Sequence, residues 1–219
     1  MTFSCYELSE PIEIGENSPA TLVIENPVFY RSLVEDLILQ SQGCGARFAV
    51  SEGGETLNFT HDIEVITDVF RLMTDSRTVQ NRINLAVADE YRLAQDKYDG
   101  LLCGINEVAA NVAAALDFDA SYTPLGDLGG VLKLFGFRMD VDELTLPERL
   151  AEYVSFLHAY CGRRLFVILN LHTVLSSDEL AEFIKLAEYK KIHILFVDGK
   201  VGSVGGENVR IIDNDLCEI

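Results

Sequence analysis

Arg163-Arg-Leu-Phe-Val-Ile-Leu-Asn170, Ser176-Ser-Asp-Glu179 and Ile192-His-Ile-Leu-Phe-Val197 decide the fold class of this chain. The first and the last are apolar runs of strand length without polar alternation. That is the mark of strands buried on both faces of a parallel sheet. Between them, Ser176 and Glu179 have the spacing of a capping box, which opens a helix to about Tyr189. Strand, helix and strand at this distance form a βαβ unit. Val209–Ile212 supplies a further, shorter strand. Just upstream, Thr145-Leu-Pro-Glu148 is a second capping box with Pro in the first turn. The helix it opens points Leu150, Tyr153, Val154, Leu157 and Tyr160 inward.

The amino-terminal end has the same character. Ala20-Thr-Leu-Val-Ile-Glu25 is a strand, and Pro27 opens a helix with Val28, Leu33, Val34, Leu37 and Ile38 along one stripe. Gly43 and Gly45 end that helix. Arg47–Val50 and Thr56–Phe59 read as short strands around a turn at Gly53-Gly54, and Ile63–Ile66 as another. The middle of the chain differs. Asp75-Ser76 starts a helix carrying Val79, Ile83, Val87, Tyr91 and Ala94, spaced by threes and fours. Gly100 is the expected break before an alanine-rich helix over 101–116. A third helix runs over 125–135 and stops at Gly136. The expected architecture is an α/β head built from residues 1–69 and 146–219, with a helical insertion over 70–145.

The chain has 219 residues, of which 48% are hydrophobic, enough for a core without covalent staples. No apolar run approaches the roughly 18 residues of a membrane span, and the first residues lack the basic flank of a signal peptide, so a cytoplasmic protein is expected. The cysteines, Cys5, Cys44, Cys103, Cys161 and Cys217, are odd in number and widely spaced, with no Cys-x-x-Cys, which points to reduced thiols. Thirty-five Asp and Glu against 17 Lys and Arg give a formal charge of −18. A field of that sign repels nucleic acid. DNA binding then requires basic residues gathered on one face, or cations that neutralise acidic clusters.

Catalytic constellations are poor. A phosphate loop needs Gly-x-x-x-x-Gly-Lys-Ser/Thr after a strand, but Glu25 is followed by Asn26-Pro27-Val28-Phe29. Gly199-Lys200 follows a strand with Val201 in place of the hydroxyl residue, and Gly202–Gly206 leads to a strand. Asp198 resembles the acidic end of a Walker B strand. A degenerate P-loop-like nucleotide-binding protein or hydrolase, using Gly202–Gly206 and Asp198, is therefore the competing reading. His61, His158, His172 and His193 have no nucleophile or metal partner at a recognisable spacing. Asp117-Phe-Asp119-Ala-Ser121 alternates oxygen ligands as calcium loops do, yet Tyr122 and Leu128 stand where an EF-hand has Gly and Glu. Asp127 and Asp140 lie nearby. From spacing alone, helix caps and a solvated edge are the favoured account of these carboxylates. Arg71, Arg77, Arg82, Arg92 and Lys97 populate the first insertion helix and its approach, and Lys133 and Arg138 its return.

Read end to end, the chain resembles the short form of the type II-A CRISPR spacer-acquisition accessory family. Phe3–Ile14 and Thr21–Glu25 look like that family's first strands. Glu64–Asp68 and Asp75–Thr78 match its entry into the helical segment. Arg163–Asn170, Leu175–Leu180 and Ile194–Val197 match its carboxyl-terminal core, and Ile212-Asp-Asn-Asp215 its closing segment. The resemblance implies a degenerate nucleotide-binding-like α/β head with an inserted α-helical leg and no catalytic residues. It also implies a homotetrameric ring that threads onto double-stranded DNA ends without sequence preference. The ring would act beside the CRISPR integrase proteins and the RNA-guided effector nuclease. It implies Ca2+, with Asp117, Asp119, Asp127 and Asp140 as the matching donors. Arg47 matches a family lysine near the channel, and Arg71, Arg77, Arg82 and Lys133 are the other candidate DNA contacts.

Overall fold

The computed structural model describes residues 1–16, 18–200 and 208–219. The elements run, in chain order, β1 (Thr2–Cys5), β2 (Ile12–Glu13), β3 (Ala20–Ile24), α1 (Pro27–Ser41), β4 (Phe48–Glu52), β5 (Glu55–Thr56), α2 (Phe59–Asp62) and β6 (Ile63–Ile66). Then come α3 (Arg77–Leu93), α4 (Asp99–Ala114) and α5 (Gly129–Leu134). The chain closes with α6 (Leu146–Cys161), β7 (Leu165–Leu169), α7 (Leu171–Val174), α8 (Ser177–Tyr189), β8 (His193–Asp198) and β9 (Asn208–Ile212). Two compact units result: one of residues 1–72 and 141–219, the other of residues 73–140.

The first unit holds a five-stranded parallel sheet in the order β6-β7-β8-β3-β9. Every residue of β3, β7 and β8 is buried, which is why these strands show no polar alternation. β3 ends up between β8 and β9, pairing Ala20 with both Leu195 and Asn208. A smaller antiparallel sheet, β2-β1-β4-β5, lies in the same unit. Here alternation returns: Phe3 and Cys5 point inward, while Thr2 and Ser4 are half-exposed. Phe3 stacks on Phe48 and Phe48 on Phe59, with centroids 5.5 and 6.1 Å apart, joining the small sheet to the main core.

Local chemistry sets the boundaries. The side-chain oxygen of Asn26 accepts from the amides of Val28 and Phe29, both at 3.1 Å, and so caps α1. Gly43 and Gly45, at φ 86° and 92°, turn the chain after it. The buried amide of Gln40 then accepts from Phe48 N at 2.9 Å and donates to Phe48 O at 2.7 Å, fixing the start of β4. Both expected capping boxes, at Thr145–Glu148 and Ser176–Glu179, are formed.

Several details depart from the sequence pattern. Val28 is 64% exposed because it sits in the first turn of α1, off the Leu33–Leu37 face that is buried. Tyr160 is exposed in the last turn of α6. Strand β5 stops at Thr56, and Asn58 caps the short helix α2 through Thr60 N and His61 N. The break between α3 and α4 falls at a 3-10 turn over Gln95–Lys97, so Gly100 is inside α4. Residues 125–128 are not helical. Asn106 clamps the backbone of Leu125 from both sides, at 3.0 and 2.8 Å, and α5 starts only at Gly129.

In the second unit, Ser76 caps α3 at Val79 N. Gln80 donates to Phe137 O at 2.7 Å, and Tyr91 Oη accepts from Leu128 N at 3.3 Å. Val79 and Leu128 are its buried apolar residues, and α4 buries none of its own. Among the described residues, no helix is long and apolar enough to cross a membrane.

Candidate functional site

Three places could carry chemistry: the strand ends of the α/β unit, the acidic groups of the helical unit, and the scattered basic residues. A phosphate would sit on the amino end of α1, after β3. That end is occupied by the chain itself. Asn26 Oδ1 takes the first helical amides, and Asn26 Nδ2 donates to Asn214 O at 3.0 Å. The competing nucleotide reading also rests on Gly202–Gly206, which lies outside the described residues. Its other element, Asp198, ends β8 in a fully buried position, 2.9 Å from Nδ1 of His172.

The four candidate calcium ligands all lie in the second unit. Asp117 and Asp119 are exposed in the segment after α4, and Asp140 is exposed at the unit's last residue. Asp127 is used locally, its Oδ1 accepting from Gly129 N at 2.7 Å at the start of α5. Among the described residues, no three His, Cys, Asp or Glu side chains stand close enough together to hold a metal ion. The single chain therefore does not assemble the donor set that the resemblance implies.

Of the basic candidates, Arg47 is the one the structure explains most fully. It precedes β4 and lies between β1's exit loop and α1. Nη2 reaches Glu7 Oε1 and Nη1 reaches Asp36 Oδ2, both at 2.6 Å, and Nη1 also donates to Ser32 Oγ at 3.3 Å. The guanidinium carbon lies 5.3 and 5.7 Å from the ring centres of Phe29 and Phe48. Burial lowers the pKa of this group, but the hydrogen bonds and charges of Glu7 and Asp36 outweigh burial and raise it. Arg47 is thus a strut whose donors are already engaged, at 14% side-chain exposure. Sequence alone could not show this, because Glu7 and Asp36 are distant in the chain.

Arg71, Arg77, Arg82 and Lys133 behave differently. All four are exposed, and none forms an ion pair among the described residues. Arg77 and Arg82 lie on α3 and Lys133 in the last turn of α5, within one unit, whereas Arg71 belongs to the other. They are available to phosphate.

The feature that sequence reasoning passed over is an apolar cleft of about 720 Å³ inside the second unit, bounded by α3, α4 and α5. Tyr91, Tyr98, Leu101, Ile105, Leu128 and Phe135 line it. Its signal was visible in part: α3 and α4 carry more apolar residues than a two-helix hairpin can cover. Leu101, Val108 and Val112 of α4, together with Leu134 and Phe135, remain largely exposed in the single chain.

A family model described as CRISPR-associated protein (Cas_Csn2) matches residues 45–216. The fold is also similar to that in the crystal structure of Stu0660 of Streptococcus thermophilus. The TM-score is 0.53 at 14% identity, over 96% of this chain and 74% of that one.

Proposed function

The chain belongs to the CRISPR-associated Cas_Csn2 family, and from that premise we propose that it serves spacer acquisition without catalysis, as a ring of four copies that threads onto double-stranded DNA ends. The observation that carries this reading is the uncovered apolar surface of the helical unit. A 16-residue helix, α4, buries none of its residues in one chain. Covering such a face with another copy is favourable by about 25 cal/mol for each Å² of apolar area removed from water, and closed symmetry satisfies every copy at once. Threading also suits the charge: a chain of formal charge −18 has no overall attraction for DNA, so retention must come from topology and a few local cations.

Arg71, Arg77, Arg82 and Lys133 are the proposed phosphate contacts, since among the described residues no carboxylate of the chain pairs with them. The partners are double-stranded DNA ends, the integrase proteins and the RNA-guided effector nuclease. Ca2+ enters the proposal through the family resemblance. No step depends on it here, because its candidate donors are not gathered in the single chain.

The test is a gel shift comparing linear duplex with covalently closed circles of the same length, alongside light scattering. A tetramer that retards linear DNA only is expected. Equal retardation of relaxed circles would refute threading, and a monomer at micromolar concentration would refute the ring.

A further inference from the structure

Helix α4 carries a seam that its own chain leaves open. Leu101, Ile105, Val108 and Val112 follow one another at steps of four, three and four residues. On a helix that spacing gathers the side chains into one stripe, the seam by which one helix packs on another. Leu101, Val108 and Val112 are 56%, 62% and 57% exposed, and Ile105 is half-buried. In a chain with 24% charged residues, α4 carries only Asp99 in its first turn and Glu107, which the helical period turns off the stripe.

The interval itself says what fits: a second helix whose apolar side chains recur at the same steps, and another copy of this chain brings one. Two heptads are too few for an isolated coiled coil, so the contact needs more apolar area than the stripe alone. The cleft supplies it. Leu101 and Ile105 belong to both, and Tyr98 and Phe135 stand beside them in its lining. Gly104 flanks the stripe with room to spare, since a Cβ there would meet nothing within 4 Å, and this lets a second backbone come close.

Charge sets the direction of the pair. Asp117 and Asp119 lie just past the carboxyl end of α4, already at the negative end of its macrodipole. A parallel pair would gather all four carboxylates and both negative ends in one place. An antiparallel pair brings each Asp117–Asp119 segment to the amino, positive end of the other helix, where Lys97 closes the preceding 3-10 turn.

We propose that the partner of this face is the same helix of a second copy. The two α4 helices pack antiparallel about a two-fold axis that passes between Ile105 and Val108, with Leu101 of each copy against Val112 of the other. The contact takes its setting from the ring reading and specifies how the helical units meet. It is isologous and joins two copies, so a ring of four built on it needs one further contact elsewhere on the chain.

Cysteine cross-linking of the full-length protein tests it. The background carries Cys44→Ser and Cys217→Ser. It keeps Cys103, which is exposed on the side of α4 away from the stripe and should stay unlinked. Mild oxidation should link Leu101→Cys/Val112→Cys into covalent dimers, with the bond assigned by peptide mass spectrometry. Either single variant should stay unlinked, because each position lies about 16 Å along the axis from its own counterpart, at 1.5 Å per residue. Val108→Glu with Val112→Glu should halve the particle mass in light scattering and leave the far-ultraviolet circular dichroism unchanged, since both side chains are exposed in one chain. Self-linking of a single variant, an unlinked double variant or an unchanged mass would overturn the proposal. If the glutamate pair does not fold, the cross-linking pattern decides. A wild-type monomer overturns both this contact and the ring. A wild-type tetramer whose double variant stays unlinked overturns this contact alone, and a wild-type dimer whose double variant links upholds it and overturns the ring.

Discussion

Replacing Arg47 with Ala separates two roles that the same residue could play. As a strut, Arg47 joins Glu7, which follows β1, to Asp36 on α1, with its fork stacked between Phe29 and Phe48. The two ion pairs are short, but Glu7 and Asp36 keep 34% and 41% of their side-chain surface in water, so screening holds each to about 1 kcal/mol. The two ring contacts add about 0.5–1 kcal/mol. Arg47→Ala should therefore cost about 2–3 kcal/mol, which is roughly 5–10 °C in Tm for a chain of this size. Arg47→Lys keeps the charge but loses the bidentate fork and should fall between. The assay is thermal unfolding by circular dichroism, paired with a gel shift on linear duplex. High salt should narrow the difference between wild type and Arg47→Ala, since part of it is Coulombic. A Tm unchanged within about 1–2 °C, beside a clear loss of DNA affinity, would refute the strut and assign Arg47 to phosphate.

Glu64 offers a pH test. Burial raises its pKa, with the Arg163 guanidinium 3.0 Å away opposing. A carboxyl whose folded pKa is raised favours folding below its ordinary value and loses that contribution as pH rises through the folded pKa. In urea unfolding, wild type should thus lose stability relative to Glu64→Gln as pH rises above the ordinary glutamate range, and the opposite slope would show that Arg163 dominates. Asn26→Ala should cost about 1 kcal/mol through the lost α1 cap, and nucleotide titration should still show no binding, because no glycine loop replaces the cap. Asp117→Ala with Asp119→Ala should reduce Ca2+ affinity by calorimetry if those carboxylates are ligands; unchanged binding would move the ion elsewhere. Charge reversal of Arg77 and Arg82 together should weaken binding to all duplex sequences alike and flatten the salt slope by about 0.9 for each phosphate no longer neutralised, whereas a sequence-dependent loss would argue for base recognition.

The parallel sheet was legible because burial on both faces leaves an unmistakable trace: β3, β7 and β8 are buried from end to end and carry almost only apolar side chains. Helix starts were legible at Pro27 through its fixed first turn, and at Ser76, Thr145 and Ser176 through their caps. The antiparallel sheet was legible only in part: the turn at Gly53-Gly54 gave the hairpin of β4 and β5, whereas the two-residue β2 and the pairing of β1 with β4 depend on contacts distant in the chain. Residues 125–128 read as helix because Leu125 and Leu128 share its period, but Asn106, 19 positions away, claims the backbone of Leu125. The same limit governs the sites. Exposure of Arg77 or Lys133 is a local property that a pattern can suggest, whereas the engagement of Arg47 with Glu7 and Asp36, and of Asp198 with His172, depends on which side chains arrive beside them.

That distinction bears on how so acidic a chain could hold DNA. Composition counts every arginine as a possible phosphate ligand, but folding commits many of them elsewhere. Arg47 goes to Glu7 and Asp36, Arg92 to Asp89, Arg163 to Glu64, Arg164 to Glu52 and Arg210 to Glu218. Arg163 is committed further, donating to the carbonyls of Thr60, His61 and Ile63. These pairs tie strand ends and loops of the α/β unit together, Arg92 excepted, and so serve the fold. Arg77, Arg82 and Lys133, which form no ion pair among the described residues, fall in the helical unit, which also carries the uncovered apolar face. A surface of that kind cannot attract DNA from a distance against the chain's total charge. It can retain a duplex already enclosed by several copies, each contributing a few phosphate ligands. Assembly and DNA binding would then draw on the same helical unit, the apolar face of α4 serving the first and the cations of α3 and α5 the second, and a substitution that loosens the first should weaken the second without touching any phosphate ligand.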